Sequence, residues 1–306
     1  MSEVLVGIDP RELSVPALVW AADEAVRRAA RLRLVVAVPP VHDRPRHGAV
    51  AHQSSLRIRA ESALVNAEDL VRELHEGLWT ATDLVDGTPA AVLLDRTRGA
   101  ALAVVGSRRL GRVAEVLSEG SVVVPLAARA ECPVVVIREP EHTTVHPPVI
   151  VVGVDGSGDC RAAVSFAVAE ASLREARLMA VRAWPRPLLS RGDEIEDSAD
   201  RRRLLAESVA GCTESHPDVA VDHVIIRGHP VEELTRVSRE ALAVVVGRRG
   251  RGGHSGIRLG STARGLLHHA ACPVITVPLP GAGETGDTPA GAGPSRHRKD
   301  RQLPRG

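Results

Sequence analysis

Aromatic side chains are nearly missing from this 306-residue chain, which has one Phe, three Trp and no Tyr. That excludes the stacking platforms on which single-stranded nucleic acid is held, and leaves Val, Leu, Ala and Ile to build the cores. Lysine is almost absent as well. Lys299 is the single one, so neither Schiff-base chemistry nor a phosphate-gripping lysine is available before it. Neither sign of charge dominates: Lys plus Arg number 39 and Asp plus Glu 38, a net charge of +1 that excludes an electrostatic grip on nucleic acid as the main function. No apolar run approaches the ~18 residues of a membrane span, and MSEVLVGID lacks the basic start and long apolar core of a signal peptide, so no membrane partner is expected. None of Cys132, Cys160, Cys212 and Cys272 forms a C-x-x-C pair. Cys132 and Cys272 each precede an apolar run and read as small hydrophobes, Cys160 and Cys212 as structural residues, and a reducing cytoplasm is the expected location.

What is present is a regular alternation. Val4 to Ile8, Leu32 to Val38, Thr82 to Val85, Ala101 to Val105 and Val134 to Ile137 read as strands. Ser14 to Ala30, Ser54 to Leu78, Ala90 to Thr97 and Val122 to Ala130 read as helices, with residues 39–52 as a loop. Strands alternating with helices predict a parallel α/β sheet. After a proline-rich linker the pattern starts again. Val149 to Val154 with Asp155 repeats Val4 to Ile8 with Asp9 at an offset of 146. Gly106 maps onto Gly247 at 141, and Gly120, Ser121, Cys132 and Pro133 map onto Gly260, Ser261, Cys272 and Pro273 at 140. The chain is a tandem duplication. Its expected divisions are a first domain over 1–138, a linker over 139–148, a second domain over 149–280 and a disordered tail over 281–306, where Gly, Pro, Thr and charge run without apolar period.

The chemistry concentrates in residues 244–273, VVVGRRGRGGHSGIRLGSTARGLLHHAACP. A buried strand ending at Gly247 is followed by a loop of glycine and arginine. A helix over Ala263 to Ala271 then opens with a hydroxyl residue, Ser261 or Thr262, at its cap. The first N–H groups of a helix lack partners within it, and with the helix dipole they favour an anion there. The spacing G-x2-G-x9-G-S, set by Gly247, Gly250 and Gly260-Ser261, resembles the nucleotide-binding signature of the universal stress protein family, in its ATP-binding subgroup. It is neither a Walker A loop nor a G-x-G-x-x-G fingerprint.

The resemblance covers nearly all of residues 1–280. It implies two doubly wound five-stranded parallel sheets, each in the order 3-2-1-4-5, with ligand in the crevice at the carboxyl ends of the first and fourth strands. It implies that Asp155 contacts the nucleoside, that Ala183, after the second strand, lies by the adenine, and that Gly250, Gly260, Ser261 and Thr262 cradle the phosphates. Arg248, Arg249, Arg251 and Arg258 are candidates to neutralise them, or else parts of a solvated loop. Asp155 read alone is a turn residue bonding its own backbone. The expected ligand is ATP with Mg2+.

The first copy departs from this pattern. Asp9, Gly106, Gly120 and Ser121 are the weaker counterparts, but Arg109 stands where the second glycine belongs and one extra residue follows. Pro10-Arg11 replaces Gly156-Ser157, and Pro125 lies early in the helix. This copy is expected to bind nucleotide poorly or not at all, unless Gly111 or a rearranged loop rescues it. His268-His269, adjacent on a helix, cannot chelate as an i, i+4 pair does, and reads as a helix C-terminal charge.

The expected function is a cytoplasmic ATP-binding regulatory protein of the stress response, without dedicated catalytic chemistry and with an unknown downstream protein partner. A slow ATPase and a nucleotide-independent interaction module are the alternatives. In the family, domains often pair through the fifth strand. Val134 to Ile137 and Val274 to Val277 are therefore expected to meet, either within the chain as a pseudo-dimer or between chains as a homodimer.

Overall fold

The computed structural model describes residues 2–40, 49–107, 122–138, 145–184, 194–250 and 259–279. In the first half, strand β1 (Glu3–Gly7), helix α1 (Val15–Arg27), β2 (Arg31–Val38), α2 (Ala49–Leu74), β3 (Thr80–Asp86), α3 (Pro89–Arg96), β4 (Leu102–Gly106), α4 (Val123–Arg129) and β5 (Val134–Ile137) follow in order. The second half repeats them as β6 (Val149–Gly153), α5 (Gly158–Leu173), β7 (Arg177–Trp184), α6 (Glu194–Thr213), β8 (Val221–Arg227), α7 (Pro230–Val237), β9 (Ala243–Gly247), α8 (Ser261–His269) and β10 (Val274–Val277).

Helix α2 is displaced from its expected range of Ser54 to Leu78. It starts earlier, within the segment read as loop, because Ala49, Val50 and Ala51 extend it. It stops earlier because Gly77 takes φ +87°, which a helix cannot continue through. The last four residues of the expected helix are its exit turn.

Each half has the strand order 3-2-1-4-5, and the two orders meet end to end in one ten-stranded sheet, β3-β2-β1-β4-β5-β10-β9-β6-β7-β8. Every neighbouring pair is parallel except β5 with β10, which run antiparallel with Val135 opposite Ile275. The fifth strands therefore do meet within the chain. Their pairing removes two edges that would otherwise present unpaired N–H and C=O groups, and leaves β3 and β8 at the outside. Helices cover both faces, so the inner strands are apolar on both sides and read as continuous Val, Ile and Leu runs rather than alternating ones. Helices α1, α2, α5 and α6 lie on one face, and α3, α4, α7 and α8 on the other.

The seam between halves carries charge as well as apolar contact. Glu24 on α1 and Glu170 on α5 are fully buried, and Arg28 and Arg174 bridge them crosswise. Arg28 bonds Glu24 one turn back on its own helix and reaches Glu170 at 2.6 Å. Arg174 bonds Glu170 at 2.5 Å and reaches Glu24 at 3.0 Å. The guanidinium of Arg174 also lies 4.8 Å from the centre of the Trp20 ring, and that of Arg28 lies 5.5 Å from that of Phe166. The ring's residues repeat at the 146-residue offset, Trp20-x3-Glu24-x3-Arg28 returning as Phe166-x3-Glu170-x3-Arg174, so their recurrence is legible in the sequence. The pairing across the seam could not have been read from it.

Candidate functional site

In the second half, β6 and β9 are neighbours in the sheet, and the chain leaves them toward opposite faces, to α5 and to α8. A crevice opens where such connections part. Asp155 lies two residues beyond the end of β6, and Arg248, Arg249 and Gly250 follow β9 directly. These two segments touch: a Cβ built on Gly250 would stand 2.5 Å from Asp155 Oδ2, closer than real carbon atoms come. A side chain at position 250 would displace the Asp155 carboxylate from its present place.

The third jaw is the start of α8. Its cap is Gly260, with φ −67° and ψ 158°, and not the hydroxyl residue the sequence suggested. Ser261 is the first helical residue and exposed, and Thr262 follows half-buried. A glycine cap leaves the early N–H groups without a side-chain acceptor of their own. The Gly260 N–H donates to the Arg248 carbonyl at 2.9 Å, and a Cβ on Gly260 would meet Arg248, Arg249 and Gly250 backbone at ordinary distances of 3.5 to 3.6 Å. The loop and the helix start are thus held against each other by main chain. Ala183 lies inside β7 rather than after it, opposite Ile226 of β8. Gly153 pairs with Val181, which puts Ala183 level with Asp155.

Asp155 itself caps a turn. The Ser157 N–H donates to its Oδ1 at 2.9 Å, Gly156 takes φ +78°, and Ser157 Oγ accepts the Cys160 N–H to cap α5. The turn role and a place in the crevice coexist, since Oδ2 is the atom directed at Gly250.

Arg248 does not turn its side chain toward the crevice. It is 7% exposed, and its Nη1 donates at 3.0 Å to the carbonyl of Ala130, which caps the C-terminus of α4 in the first half. Its contribution at the crevice is backbone, a correction to the phosphate-neutralising role suggested by the sequence. Arg249 is exposed. Arg251 and Arg258 lie outside the described residues, as do Arg109, Gly111, Gly120, Ser121 and residues 281–306.

In the first half the equivalent carboxylate is taken. The Arg11 N–H donates to Asp9 Oδ1 at 2.9 Å, its Nε reaches the same oxygen at 3.1 Å, and its Nη2 reaches Oδ2 at 3.2 Å. The pair is exposed and adds little stability; Ser157 stands at the position equivalent to Arg11. Gly106 has a packing role: a Cβ there would stand 2.4 Å from the Cβ and Oγ of Ser14, the cap of α1. Gly106→Ala is expected to lower stability by about 1–3 kcal/mol through overpacking. A urea midpoint equal to that of the unmodified chain would remove this reason for the glycine.

One further sequence expectation changes, and the reading of the cysteines holds. Burial first, then the neighbouring cations, lower the pKa of His268 from its ordinary value, which weakens it as a charge at the helix terminus. The cation there is Arg138 of the first half, which donates to the His268 and Ala270 carbonyls. Burial pushes the Cys132 thiol up to about 12 and raises those of Cys160 and Cys212, so none is poised as a thiolate. Among the described residues no group of three or more His, Cys, Asp or Glu could hold a metal ion, and no helix is long and apolar enough to cross a membrane.

The family model described as "Universal stress protein family" matches residues 1–138 and again 148–278. The chain belongs to this family. A universal stress protein of Mycobacterium tuberculosis (strain ATCC 25618 / H37Rv) is 33% identical over 292 residues, covering 89% of this chain and 95% of that one. The crystal structure of a universal stress protein from Archaeoglobus fulgidus DSM 4304 superposes with a TM-score of 0.67 at 15% identity, over 90% of this chain and 96% of that one. At that identity it speaks to the universal stress fold alone. A shorter universal stress protein from Archaeoglobus fulgidus, solved in complex with dAMP, covers 44% of this chain and 99% of its own, at 21% identity and a TM-score of 0.34.

Proposed function

We propose that this universal stress protein is a cytoplasmic ATP-binding regulatory protein of the stress response that holds one nucleotide, in its second domain. The observation that carries the reading is the crevice where Asp155, Gly250 and Gly260 converge beyond the carboxyl ends of β6 and β9. Asp155 Oδ2 is placed for a ribose or base donor, and Ala183 forms a small flat floor level with it. The main chain from Gly247 to Gly250 and the N–H groups of Ser261, Thr262 and the residue after them face the phosphates, with the dipole of α8 behind them. Mg2+ would come with the triphosphate, and Asp155 is the described carboxylate at hand in the crevice.

The domains of this reading are 1–138 and 149–280. The first is a docking partner whose Asp9 is engaged by Arg11.

Calorimetric titration of nucleotide-free protein with Mg·ATP is expected to give one site per chain, with a melting temperature that rises with ATP concentration by mass action. Two sites would show that the first domain still accepts phosphate. No heat and no thermal shift would sink the nucleotide reading and leave the interaction module.

A further inference from the structure

Two arginines cross the seam in opposite directions, and each ends on a helix terminus. Arg138, the residue after β5, donates Nη1 to the carbonyls of His268 and Ala270 at the C-terminus of α8, the latter at 3.4 Å. Arg248, the residue after β9, donates Nη1 to the C-cap carbonyl of α4. Helix α8 has nine residues, so it is a rod of about 13 Å. The first half therefore grips one end of the short helix whose other end forms the crevice. Arg248 is held on three sides: its N–H donates to Val277 at 3.0 Å, its carbonyl accepts from Gly260 at 2.9 Å, and its guanidinium is anchored in the other half. A shift of Arg248 moves Gly260 relative to Gly250, and with it the spacing of the two jaws.

The arrangement is not a by-product of duplication. At the 141-residue offset Arg248 corresponds to Ser107, and at 140 Arg138 corresponds to Pro278. Neither counterpart carries a guanidinium.

We infer that Arg138 and Arg248 are positioning residues for the nucleotide crevice, so that the second half's site is complete only with the first half docked against it. The inference rests on the reading that this crevice takes an adenine nucleotide. It assigns the first half a task that its own Arg11-engaged carboxylate does not supply, and by linkage it requires nucleotide to tighten the seam as docking tightens nucleotide.

The test uses the full chain, titrated calorimetrically with Mg·ATP as wild type and as Arg248→Ser, Arg248→Lys and Arg138→Met. Hydrogen exchange of β5 and β10 is followed with and without ATP. Arg138→Met and Arg248→Ser are expected to weaken binding about tenfold or more, and Arg248→Lys, which keeps a donor at similar reach, to recover part of the loss. ATP should raise protection of β5 and β10 in the wild type and much less in Arg138→Met. Should the buried Arg248→Ser fail to fold by circular dichroism, the half-buried Arg138→Met decides alone, with Arg138→Gln as its second form. Folded variants that bind as tightly as the wild type overturn the positioning role and leave the nucleotide reading standing. A wild type that binds no Mg·ATP overturns both.

Discussion

Replacing Arg174 with Ala is expected to lower the stability of the whole chain by about 3–5 kcal/mol, a fall in melting temperature of about 10 °C for a protein of this size. Arg174 is 3% exposed and touches two carboxylates that are fully buried. Without it, Glu24 and Glu170 face each other across the seam with Arg28 as the remaining cation of the ring, and the cation over the Trp20 ring is lost. Thermal denaturation at neutral pH checks the prediction, and a fall of under 2 °C would show that water or rearranged side chains replace the guanidinium.

The same ring makes a second, opposite statement. The pKa of the Glu170 carboxyl is raised above 4.5, by burial first and by Glu24 second, against the pull of Arg174 and Arg28. A carboxyl with a raised folded pKa supports the fold when protonated, and that support fades as the pH rises through the folded value. The stability of wild type relative to Glu170→Gln should therefore grow as pH falls from neutral toward 4.5. Replacing all four residues by apolar ones of similar volume should be close to neutral, since burial of the charges costs about what their attraction returns.

Gly250→Arg should reduce affinity for Mg·ATP by about 100-fold or more, while leaving the circular dichroism spectrum unchanged. The substitution puts into the second domain the residue type found at Arg109 in the first. A Cβ at position 250 stands 2.5 Å from Asp155 Oδ2, so either the carboxylate turns away or the loop lifts. The first loses the nucleoside contact and the second moves the main chain from the phosphates. Gly211→Ala, on α6 and outside the crevice, is the control, since its Cβ meets nothing within 4 Å. Near-equal affinities for Gly250→Arg and the unmodified chain would remove the crevice from the nucleotide reading.

The elements of the fold were legible because their causes are local. Val4, Val6 and Ile8 face one helical layer and Leu5 the other, and such a run reads as a buried parallel strand without any partner in view. The carboxyl-end crevice was legible for the same reason: two glycine-ended strands with helices following them place their loops together once the strand order is known. Misreadings fell where one residue decides a boundary, as at Gly77 closing α2 and at Gly260 rather than Ser261 capping α8. The destinations of long polar side chains were not legible. Arg248 and Arg249 are adjacent in a loop rich in arginine, and nothing in their spacing tells which one is exposed and which is buried 118 positions away against Ala130.

By itself the sequence determined that the chain is a duplicated α/β protein, that its glycines and carboxylates gather at the ends of β6 and β9, and that the copies differ there. These follow from hydrophobic period, turn chemistry and offset, each acting over a few residues. Only the tertiary structure decided that two sheets become one through β5 and β10, that Glu24, Arg28, Glu170 and Arg174 close a ring, and that Arg138 and Arg248 tie each half to the other. Those outcomes depend on groups more than a hundred positions apart. Their partners are set by how the halves dock, and burial makes each polar group take whichever partner the docking brings within reach.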